Sequence, residues 1–580
     1  MNLIKKNSLQ NWRQKLQEIA LRFPLTLVYI VASTLSLMYV QHHWMDGRAF
    51  SGLAFFLSFY PVSAAVLSLM LHLCTEESTG RLRRWLLQGG VQGVWLAMAV
   101  YWAVQYPLSY GQTIACSVCC AAMFIGVFTL PFVKEANDTP AINFLIKLVG
   151  SIILAVLTSI ALFLGLLLLI QSLNFLFEVS ITESTYVNVV IFCFVFVAPL
   201  LVLIQLPGGE QKYAQHNWLN HKFGNGVIHF LLIPLHAVYL LILYLYLFKI
   251  VAIWQLPNGW VSWLVSALML LTVAISFLLY PVQHQENAKR IDKLVVRYLP
   301  IVVLPLLALM TIGIVRRFSD YGVTVLRLYI LLFNLWCYAV CIGLWLCRSR
   351  RVMWIATSFG AIVVLVSVFP YNISSVTEQL LRRSIRQTLA ELRVNKLPID
   401  KKQYDGLIRS AGPEKALSID GKFDYLRNTY GDASTADLFT DRTEPFGYEL
   451  PYMYDDENGQ LKEESMKVIS LFSENQSDTP AITIPRGYGR VIPSVGLGEE
   501  RDLKIVRDTL YMTQGYTIGA KKETDHYRIA LADLEKMEQD KKAICLQLQG
   551  EKTLYVFTRF YLNYDSEWAS LDDSGTLFVK

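Results

Sequence analysis

Long apolar runs fill the first 370 residues, and this feature constrains the fold more than any other. A helix needs about 20 predominantly apolar residues to cross the roughly 30 Å hydrocarbon core of a bilayer. Because lipid offers no hydrogen bonds to the backbone, such runs predict transmembrane helices. About eleven runs have this length and character: 24–41, 51–74, 85–104, 111–133, 148–176, 185–206, 226–249, 259–282, 298–315, 321–347 and 350–370. The sequence therefore predicts an α-helical polytopic membrane bundle over residues 24–370, after a short segment 1–23.

Composition changes abruptly where the last run ends. Residues 1–374 contain 24 Lys and Arg against 12 Asp and Glu, whereas residues 375–580 contain 28 against 34. A fold boundary therefore lies near Pro370, and residues 371–580 form a separate domain of ordinary polarity.

Helix signals come first in this C-terminal domain, and strand signals follow. Residues 376–392 form a basic amphipathic pattern suited to a membrane surface, and a second helix covers 422–430, with Gly431 as its C-cap. Short strand-like segments then follow at 467–472, 481–484, 526–531, 543–549, 553–564 and 576–579. The last four are closely spaced, which predicts an antiparallel meander and an α+β domain.

Lys and Arg alternate between dense and sparse loops, which predicts the orientation. One set of loops, which includes the N-terminal segment, contains 19 of these residues, and the alternate set contains 4. Basic residues accumulate in cytoplasmic loops. We therefore expect a cytoplasmic N-terminus, and eleven spans place the C-terminal domain outside the cytoplasm.

Polar side chains inside spans are costly, so they are candidates for functional residues. Arg327 lies in the tenth run, on one helical face with Asn334. A buried guanidinium at this position predicts a site for an anionic group or a lipid headgroup. The alternative is a structural cross-link between helices, or a side chain that reaches the interface.

The seventh run carries His236 and Tyr239, which complete the candidate polar intramembrane site. His229 and Tyr246 lie on roughly the same face. Metal binding needs three or four ligands, and no further ligand is evident. Hydrogen bonding between helices is the simpler interpretation. We predict no metal and no cofactor.

Several function classes receive no support from the residues. The excess of basic residues lies in short loops and does not indicate nucleic-acid binding. No glycine-rich phosphate loop followed by Lys is present, and no carboxylate lies at the centre of a predicted span, which disfavours an ATPase and an ion-coupled carrier. His526 and Cys545 are the only His and Cys after residue 374, so this domain offers no zinc site and no evident catalytic triad.

Four segments together resemble a bacterial membrane family, the domain of unknown function 4153 family. They read FLLIPLHAVY from Phe230, LPNGWVS from Leu256, YGVTVLR from Tyr321 and FDYLRNTYG from Phe423. The resemblance implies a membrane protein of the bacterial cell envelope, and it implies no activity.

Two hypotheses follow from these observations. The first is a non-enzymatic protein of the bacterial cytoplasmic membrane whose external domain senses, organises or binds an envelope protein, lipid or glycan. The second is a transporter or lipid-handling protein in which Arg327 holds an anionic group.

Overall fold

The computed structural model divides the chain into two compact units, Met1–Pro398 with Tyr425–Asp441 and Ile399–Asp424 with Arg442–Lys580. Within them, it describes residues 15, 17–45, 50–77, 80–177, 181–213, 226–253, 261–283, 289–347, 349–394, 396–440, 443–447, 467–472, 488–495, 501–518, 521–539, 546–564 and 569–580.

The first unit is helical in the part that the structure describes. Its helices are α1 (Pro24–Met45), α2 (Gly52–Thr75), α3 (Arg81–Val104), α4 (Tyr110–Thr129), α5 (Thr139–Phe177), α6 (Glu183–Ile191), α7 (Ala198–Gln205), α8 (Ile233–Ile253), α9 (Val261–Gln283), α10 (Arg290–Tyr321), α11 (Val325–Leu346), α12 (Met353–Val368) and α13 (Ile373–Glu391). A π-helical segment, Phe192–Val197, joins α6 to α7. A second one, Val227–Leu232, directly precedes α8.

Most of the predicted spans are confirmed. Among the described residues, nine helical segments are long and apolar enough to cross a membrane. The count rises to ten if α12 and α13, which meet at a 51° bend, form one span. The protein is thus a polytopic membrane bundle. Nine or ten spans among the described residues meet the criteria of length and apolarity, whereas eleven were predicted.

Two predicted runs account for the lower count. Run 85–104 does form a helix, α3, but it does not pass the test of length and apolarity. Run 350–370 forms α12, which has only 16 residues and passes only together with α13. Glutamines, glycines and arginines lower the hydropathy of α3, and Pro370 limits the length of α12.

Helix α10 contains two prolines and still runs without a break from Arg290 to Tyr321. Run 298–315 is therefore the middle of a longer helix. In the most apolar part of α10, half of the residues are buried inside the protein. Val303, Leu306 and Met310 are fully buried in the largest core of the first unit, and contacts of this kind stabilise a helix that prolines weaken.

Helix α3 packs on α2 through a polar and aromatic stripe. The amide Nε2 of Gln88 donates to Oγ1 of Thr75, and Nε2 of Gln92 donates to the carbonyl of Ala64, both at 3.2 Å. The indole of Trp95 donates to Ser63 at 2.9 Å. The buried face of α3 thus binds its neighbour partly by hydrogen bonds, as spans often do.

Helix α15 (Pro413–Tyr430) contributes residues up to Asp424 to the second unit and the rest to the first. The predicted helix 422–430 is its C-terminal end. Gly431 follows in the left-handed region, with φ +83°, and its N–H donates to the carbonyl of Arg427 at 2.8 Å. Gly431 is thus the predicted C-cap.

The second unit contains α14 (Lys401–Ser410), α16 (Leu531–Gln539) and two antiparallel sheets. One sheet has three strands: β3 (Arg501–Val506), β4 (Thr509–Ile518) and β5 (Lys521–Ala530). The other has five: β1 (Lys467–Phe472), β2 (Arg490–Val495), β6 (Leu546–Gln549), β7 (Thr553–Tyr564) and β8 (Ala569–Val579). Strand β7 lies between β8 on one side and β1 and β6 on the other. This unit has the α+β fold class predicted for the C-terminal region, and the predicted domain bounds 371–580 stay a prediction.

The predicted meander is correct for β6, β7 and β8, which pair in sequence order. It is wrong for the segment at 526–531, because β5 pairs with β4 in the other sheet. Helix α16 separates β5 from β6 and removes the tight connection that a meander needs. The predicted strand 481–484 and the first residues of 543–549 lie outside the described residues.

Candidate functional site

A cavity of about 1030 Å³ opens in the first unit, where several helices end. Its walls come from the C-terminal end of α3, the beginning of α4, the α12–α13 junction, and the end of α15 with the turn after it. Ligand pockets usually have volumes of roughly 300–1,000 Å³. The cavity is therefore large enough for a small-molecule ligand.

The first wall is the start of α4, where Ser109 and Gln112 form a capping box. The Ser109 hydroxyl accepts from the Gln112 N–H at 3.4 Å, and Oε1 of Gln112 accepts from the Ser109 N–H at 2.9 Å. This reciprocal pair fixes the first turn of the helix. A Cβ atom at Gly111 would lie 3.1 Å from the Ser374 side chain, so glycine permits the close approach of α4 to α13.

The second wall is the junction between α12 and α13. Asn372 caps α13, because its Oδ1 accepts from the Ser375 N–H at 2.8 Å. The Ser375 hydroxyl donates to the carbonyl of Pro370 at 3.1 Å. These hydrogen bonds stabilise the bend and place the side chains of Asn372 and Ser375 on the cavity wall.

The third wall is the end of α15. The phenol of Tyr430 donates to the carbonyl of Ser374 at 2.8 Å, and its ring meets that of Tyr110 edge to face at 6.4 Å. Burial raises the pKa of Tyr430 to about 12, so the phenol stays protonated and keeps this bond at neutral pH. Tyr430 thus joins the α15 wall to the α13 wall.

Charge is scarce in the cavity. Glu378 is the one carboxylate among the described lining residues, and none of them is Lys, Arg or His. Arg382 donates to Glu378 at 3.3 Å and to Asp437 at 2.6 Å, and Arg386 also contacts Asp437. Burial acts to raise the pKa of Asp437, but the two guanidinium groups outweigh it and the net pKa is lowered. Glu378 therefore belongs to a compensated ionic network.

Apolar side chains line the part of the cavity next to the helix bundle. Trp102 is buried and packs against Trp95 at 5.8 Å and Phe59 at 5.9 Å between ring centroids. Met98, Ala115 and Val368 lie beside it on the lining. The cavity thus has polar walls and an apolar base.

The structure places the four predicted intramembrane site residues at separate contacts. The guanidinium of Arg327 donates to the carbonyl of Gly322 at 2.7 Å, at the start of its own helix. Asn334 is fully buried, and its Nδ2 donates to Oγ1 of Thr311 at 2.7 Å. The Thr311 hydroxyl also contacts the Tyr338 hydroxyl at 3.1 Å, which connects α10 to α11.

The other two predicted residues lie on α8. The phenol of Tyr239 donates to the carbonyl of Leu264 on α9 at 2.8 Å. His236 is buried, and its ring nitrogens make no hydrogen bond to the described residues. The cavity of 1030 Å³ is lined by other residues, and a shared role for these four remains a prediction.

His229 and Tyr246, predicted to share a face with His236, also lie outside the cavity lining. His229 instead pairs with Asp292 at 2.8 Å, between the start of the α8 span and the first turn of α10. Within the described ranges, no group of three His, Cys, Asp or Glu is arranged to hold a metal ion.

Sequence reasoning did not identify the cavity. Its walls come from stretches near residues 98–115, 367–378 and 429–434, which meet only in the folded chain. The sequence Ser-x-x-Gln at 109–112 is a local signal for one wall, because it marks a helix start beside aromatic residues.

Comparison with known proteins identifies a family and no individual relative. No curated protein and no solved structure shows significant similarity to the chain. The family profile described as domain of unknown function (DUF4153) matches residues 21–414, which is more than half of the chain. The match covers three of the four segments that resemble this family, those from Phe230, Leu256 and Tyr321, whereas the segment from Phe423 lies beyond it. The chain belongs to this family.

Proposed function

We propose that the protein resides in the bacterial cytoplasmic membrane and binds a ligand of the cell envelope in the cavity at its outer face, without chemical conversion. The observation that carries this proposal is the cavity of about 1030 Å³, with polar walls on which Glu378 is the one charged side chain among the described residues, and with an apolar base. Pockets that combine apolar surface with a few placed polar groups are typical of ligand sites.

The distribution of Lys and Arg supports the outer position. The loop between α3 and α4 and the α12–α13 junction, which line the cavity, belong to the loops with few basic residues. The first turn of α3 contains Arg81, Arg83 and Arg84, at the end of this helix that adjoins the other set of loops. By the positive-inside rule, the cavity lies outside the cytoplasm together with residues 371–580.

The lining chemistry supports binding over catalysis. Catalysis by a serine needs an adjacent base within hydrogen-bond reach. Ser374 and Ser375, which line the cavity, donate instead to Tyr430 and to backbone carbonyls. These hydroxyls take part in helix capping and wall contacts, and the carboxylate of Glu378 is bound by Arg382.

Cysteine labelling in intact cells tests this proposal. Gln105→Cys places a thiol on the cavity wall, and Arg83→Cys places one on the first turn of α3, at the opposite end of that helix. We expect a membrane-impermeant maleimide to label Gln105→Cys in intact cells and Arg83→Cys only after permeabilisation, with the parent chain as background. The reverse pattern would reject the proposed orientation.

Ligand protection tests the second half of the proposal. A total extract of envelope lipids and glycans should slow the labelling of Gln105→Cys. Ala433→Trp, which fills the cavity from an exposed lining position, should remove this protection. Labelling at the same rate with and without the extract would reject the cavity as a binding site.

A second cavity favours lipid handling as a second candidate function. It has a volume of about 410 Å³ and is lined almost entirely by apolar side chains of α1, α2, α4, α5 and the segment around Pro199. An acyl chain fits such a surface. Val66→Trp should then reduce the lipid that copurifies with the protein, measured by mass spectrometry. Unchanged lipid content would remove this candidate.

Arg327 offers a separate test of the same candidate. If Arg327 holds an anionic headgroup, Arg327→Ala should lower copurification of anionic lipids while the thermal unfolding transition persists. An equal loss of the folded state would instead identify Arg327 as a structural residue of α11, consistent with its bond to Gly322.

A further inference from the structure

The cavity of 1030 Å³ differs from sites for ions in the chemistry of its walls. We propose that it binds a neutral, hydroxyl-rich saccharide group, presented either as the headgroup of a glycolipid or as a free glycan. This inference rests on the function proposed above and names the class of ligand.

Charge disfavours an anionic ligand. Phosphate and carboxylate sites are built from Arg, Lys or clustered backbone N–H groups. The described lining residues include none of these cations, and Glu378 would repel an anion. The guanidinium of Arg382, which binds the lining residue Glu378, is also bound by Asp437.

Charge also disfavours a cationic ligand. A quaternary ammonium group is held by a closed cage of aromatic rings, whereas Tyr101 and Tyr110 are 56% and 41% exposed and form an open surface. Glu378 is engaged by Arg382, so a ligand cation would have to replace an existing ion pair. The cavity lining therefore favours a neutral ligand over an anionic or a cationic one.

Unused amide donors point to hydroxyl groups on the ligand. Oε1 of Gln112 and Oδ1 of Asn372 accept helix-capping bonds, whereas their NH₂ groups make no hydrogen bond to the described residues. The amide of Gln105, also on the lining, makes none to these residues either. Each NH₂ group offers two donors, and sugar hydroxyls both donate and accept. Three such amides on the cavity lining match a polyhydroxylated ligand.

Aromatic rings supply the second requirement of saccharide binding, a flat surface for the C–H face of a sugar ring. Tyr101 and Tyr110 line the cavity with 56% and 41% of their surface exposed. Tyrosine combines an apolar face with a polar edge, which suits a partly wet site. The apolar base around Trp102 suits the lipid part of a glycolipid, so both presentations of the sugar fit.

Binding measurements on full-length protein in phosphatidylcholine nanodiscs test the inference. The free-glycan probe is maltose, followed by saturation-transfer NMR. The glycolipid probe is diglucosyl diacylglycerol added to the nanodiscs, followed by hydrogen exchange at 105–112 and 372–378. Inorganic phosphate, choline and phosphatidylglycerol are the charged probes.

We expect maltose or the glycolipid to bind, and the probe that binds identifies the source of the sugar. Tyr110→Ala should weaken that binding about tenfold or more. Tyr371→Ala is the matched control, because Tyr371 is 84% exposed, lies next to the lining residue Asn372 and does not line the cavity. This control should bind within about twofold of the wild type.

Glu378→Gln separates a neutral ligand from a charged one. Saccharide binding should stay within about twofold after this change, because the carboxylate charge does not select the ligand. The unfolding transition and the Tyr371→Ala control show whether each variant is folded.

Two negative results have different meanings. Binding of phosphate, choline or phosphatidylglycerol that Ala433→Trp abolishes, without saccharide binding, would overturn the saccharide class and leave the binding function standing. Absence of binding by every probe, together with unprotected labelling of Gln105→Cys in envelope extract, would overturn both proposals.

Discussion

The carboxylate of Asp525 accepts both the N–H of Thr553, at 2.9 Å, and its hydroxyl, at 2.6 Å. It also accepts the N–H groups of His526, Glu551 and Lys552, at 2.9–3.1 Å. The buried side chain of Asp525, on β5, therefore holds the turn between β6 and β7. Because β5 belongs to one sheet and β6 and β7 to the other, this contact joins the two sheets of the second unit.

Asp525→Asn should destabilise the second unit by about 3 kcal/mol, because the amide nitrogen would face N–H donors and leave them unsatisfied. Hydrogen exchange in the full-length protein should show faster exchange at residues 551–553 than in the wild type. Asp502→Asn, on the exposed surface of β3, is the control and should change exchange little. Unchanged protection in the Asp525 variant would contradict the assigned role.

Acid should weaken the same turn. Burial acts to raise the pKa of Asp525, but the hydrogen bonds from Thr553, Lys552, His526 and Glu551 outweigh it and lower the net pKa. The unfolded state then binds more protons than the folded state, so the stability contribution is complete above about pH 4. It should disappear as the pH falls through the lowered pKa. Asp525→Asn should flatten this pH dependence in exchange measurements, and an unaltered slope would assign the dependence to other groups.

Gly550→Ala should destabilise the turn by about 1–3 kcal/mol. A Cβ atom there would lie 2.5 Å from Oδ2 and 2.7 Å from Cγ of Asp525, so the carboxylate would have to leave its donors. Gly489→Ala is the matched control, because a Cβ atom at Gly489 meets nothing within 4 Å. Thermal unfolding should separate the two variants, and equal effects would show that the close approach has no energetic cost.

Asp138→Ala should destabilise the first unit by about 3–5 kcal/mol. This buried carboxylate accepts from Arg351 at 2.7 Å and from the N–H groups of Val352 and Met353 at 2.6 and 3.0 Å. It thereby connects the start of α5 to the start of α12. Lys134→Ala, at a nearby exposed position, should stay within about 0.5 kcal/mol of the wild type. Unfolding in detergent measures both, and a small effect of Asp138→Ala would mean that another contact fixes the α12 start.

Gln92→Leu should stabilise the α2–α3 pair by about 1 kcal/mol. The Oε1 atom of Gln92 is buried and makes no hydrogen bond to the described residues, and leucine removes it with little change of volume. Gln88→Leu should show a smaller gain or a loss, because it breaks the bond to Thr75. Lower thermal stability of Gln92→Leu would mean that the bond to Ala64 outweighs the cost of burying the amide.

Hydropathy predicted most of the membrane fold because the requirement for apolar residues is local and each span meets it alone. It was less reliable for α3, whose buried Gln88 and Gln92 lower the average while they bind α2. The strand at 526–531 was predicted and is part of β5, but its predicted pairing in the meander was wrong. Neighbouring strands favour hairpins, but α16 intervenes and β5 pairs with β4.

The cavity was not predictable by the same means. Gln105, Asn372 and Tyr430 are ordinary residues in their own segments, and each follows a local rule of loops or helix ends. Their common role depends on long-range packing, such as the bond of Tyr430 to Ser374. Arg327 was conspicuous for the opposite reason, since its charge is unusual within its own segment. In the folded chain its guanidinium donates to the nearby carbonyl of Gly322.

The hydrogen bonds between α2 and α3 have a consequence for biosynthesis. Helix α3 is the less apolar of the two, and its amides need acceptors on α2 to enter lipid at low cost. The ribosome completes α2 first, so the acceptors at Ala64 and Thr75 exist when α3 emerges. We therefore expect the two helices to enter the membrane as a hairpin, in which α2 supplies the hydrogen-bond acceptors that offset the low hydropathy of α3.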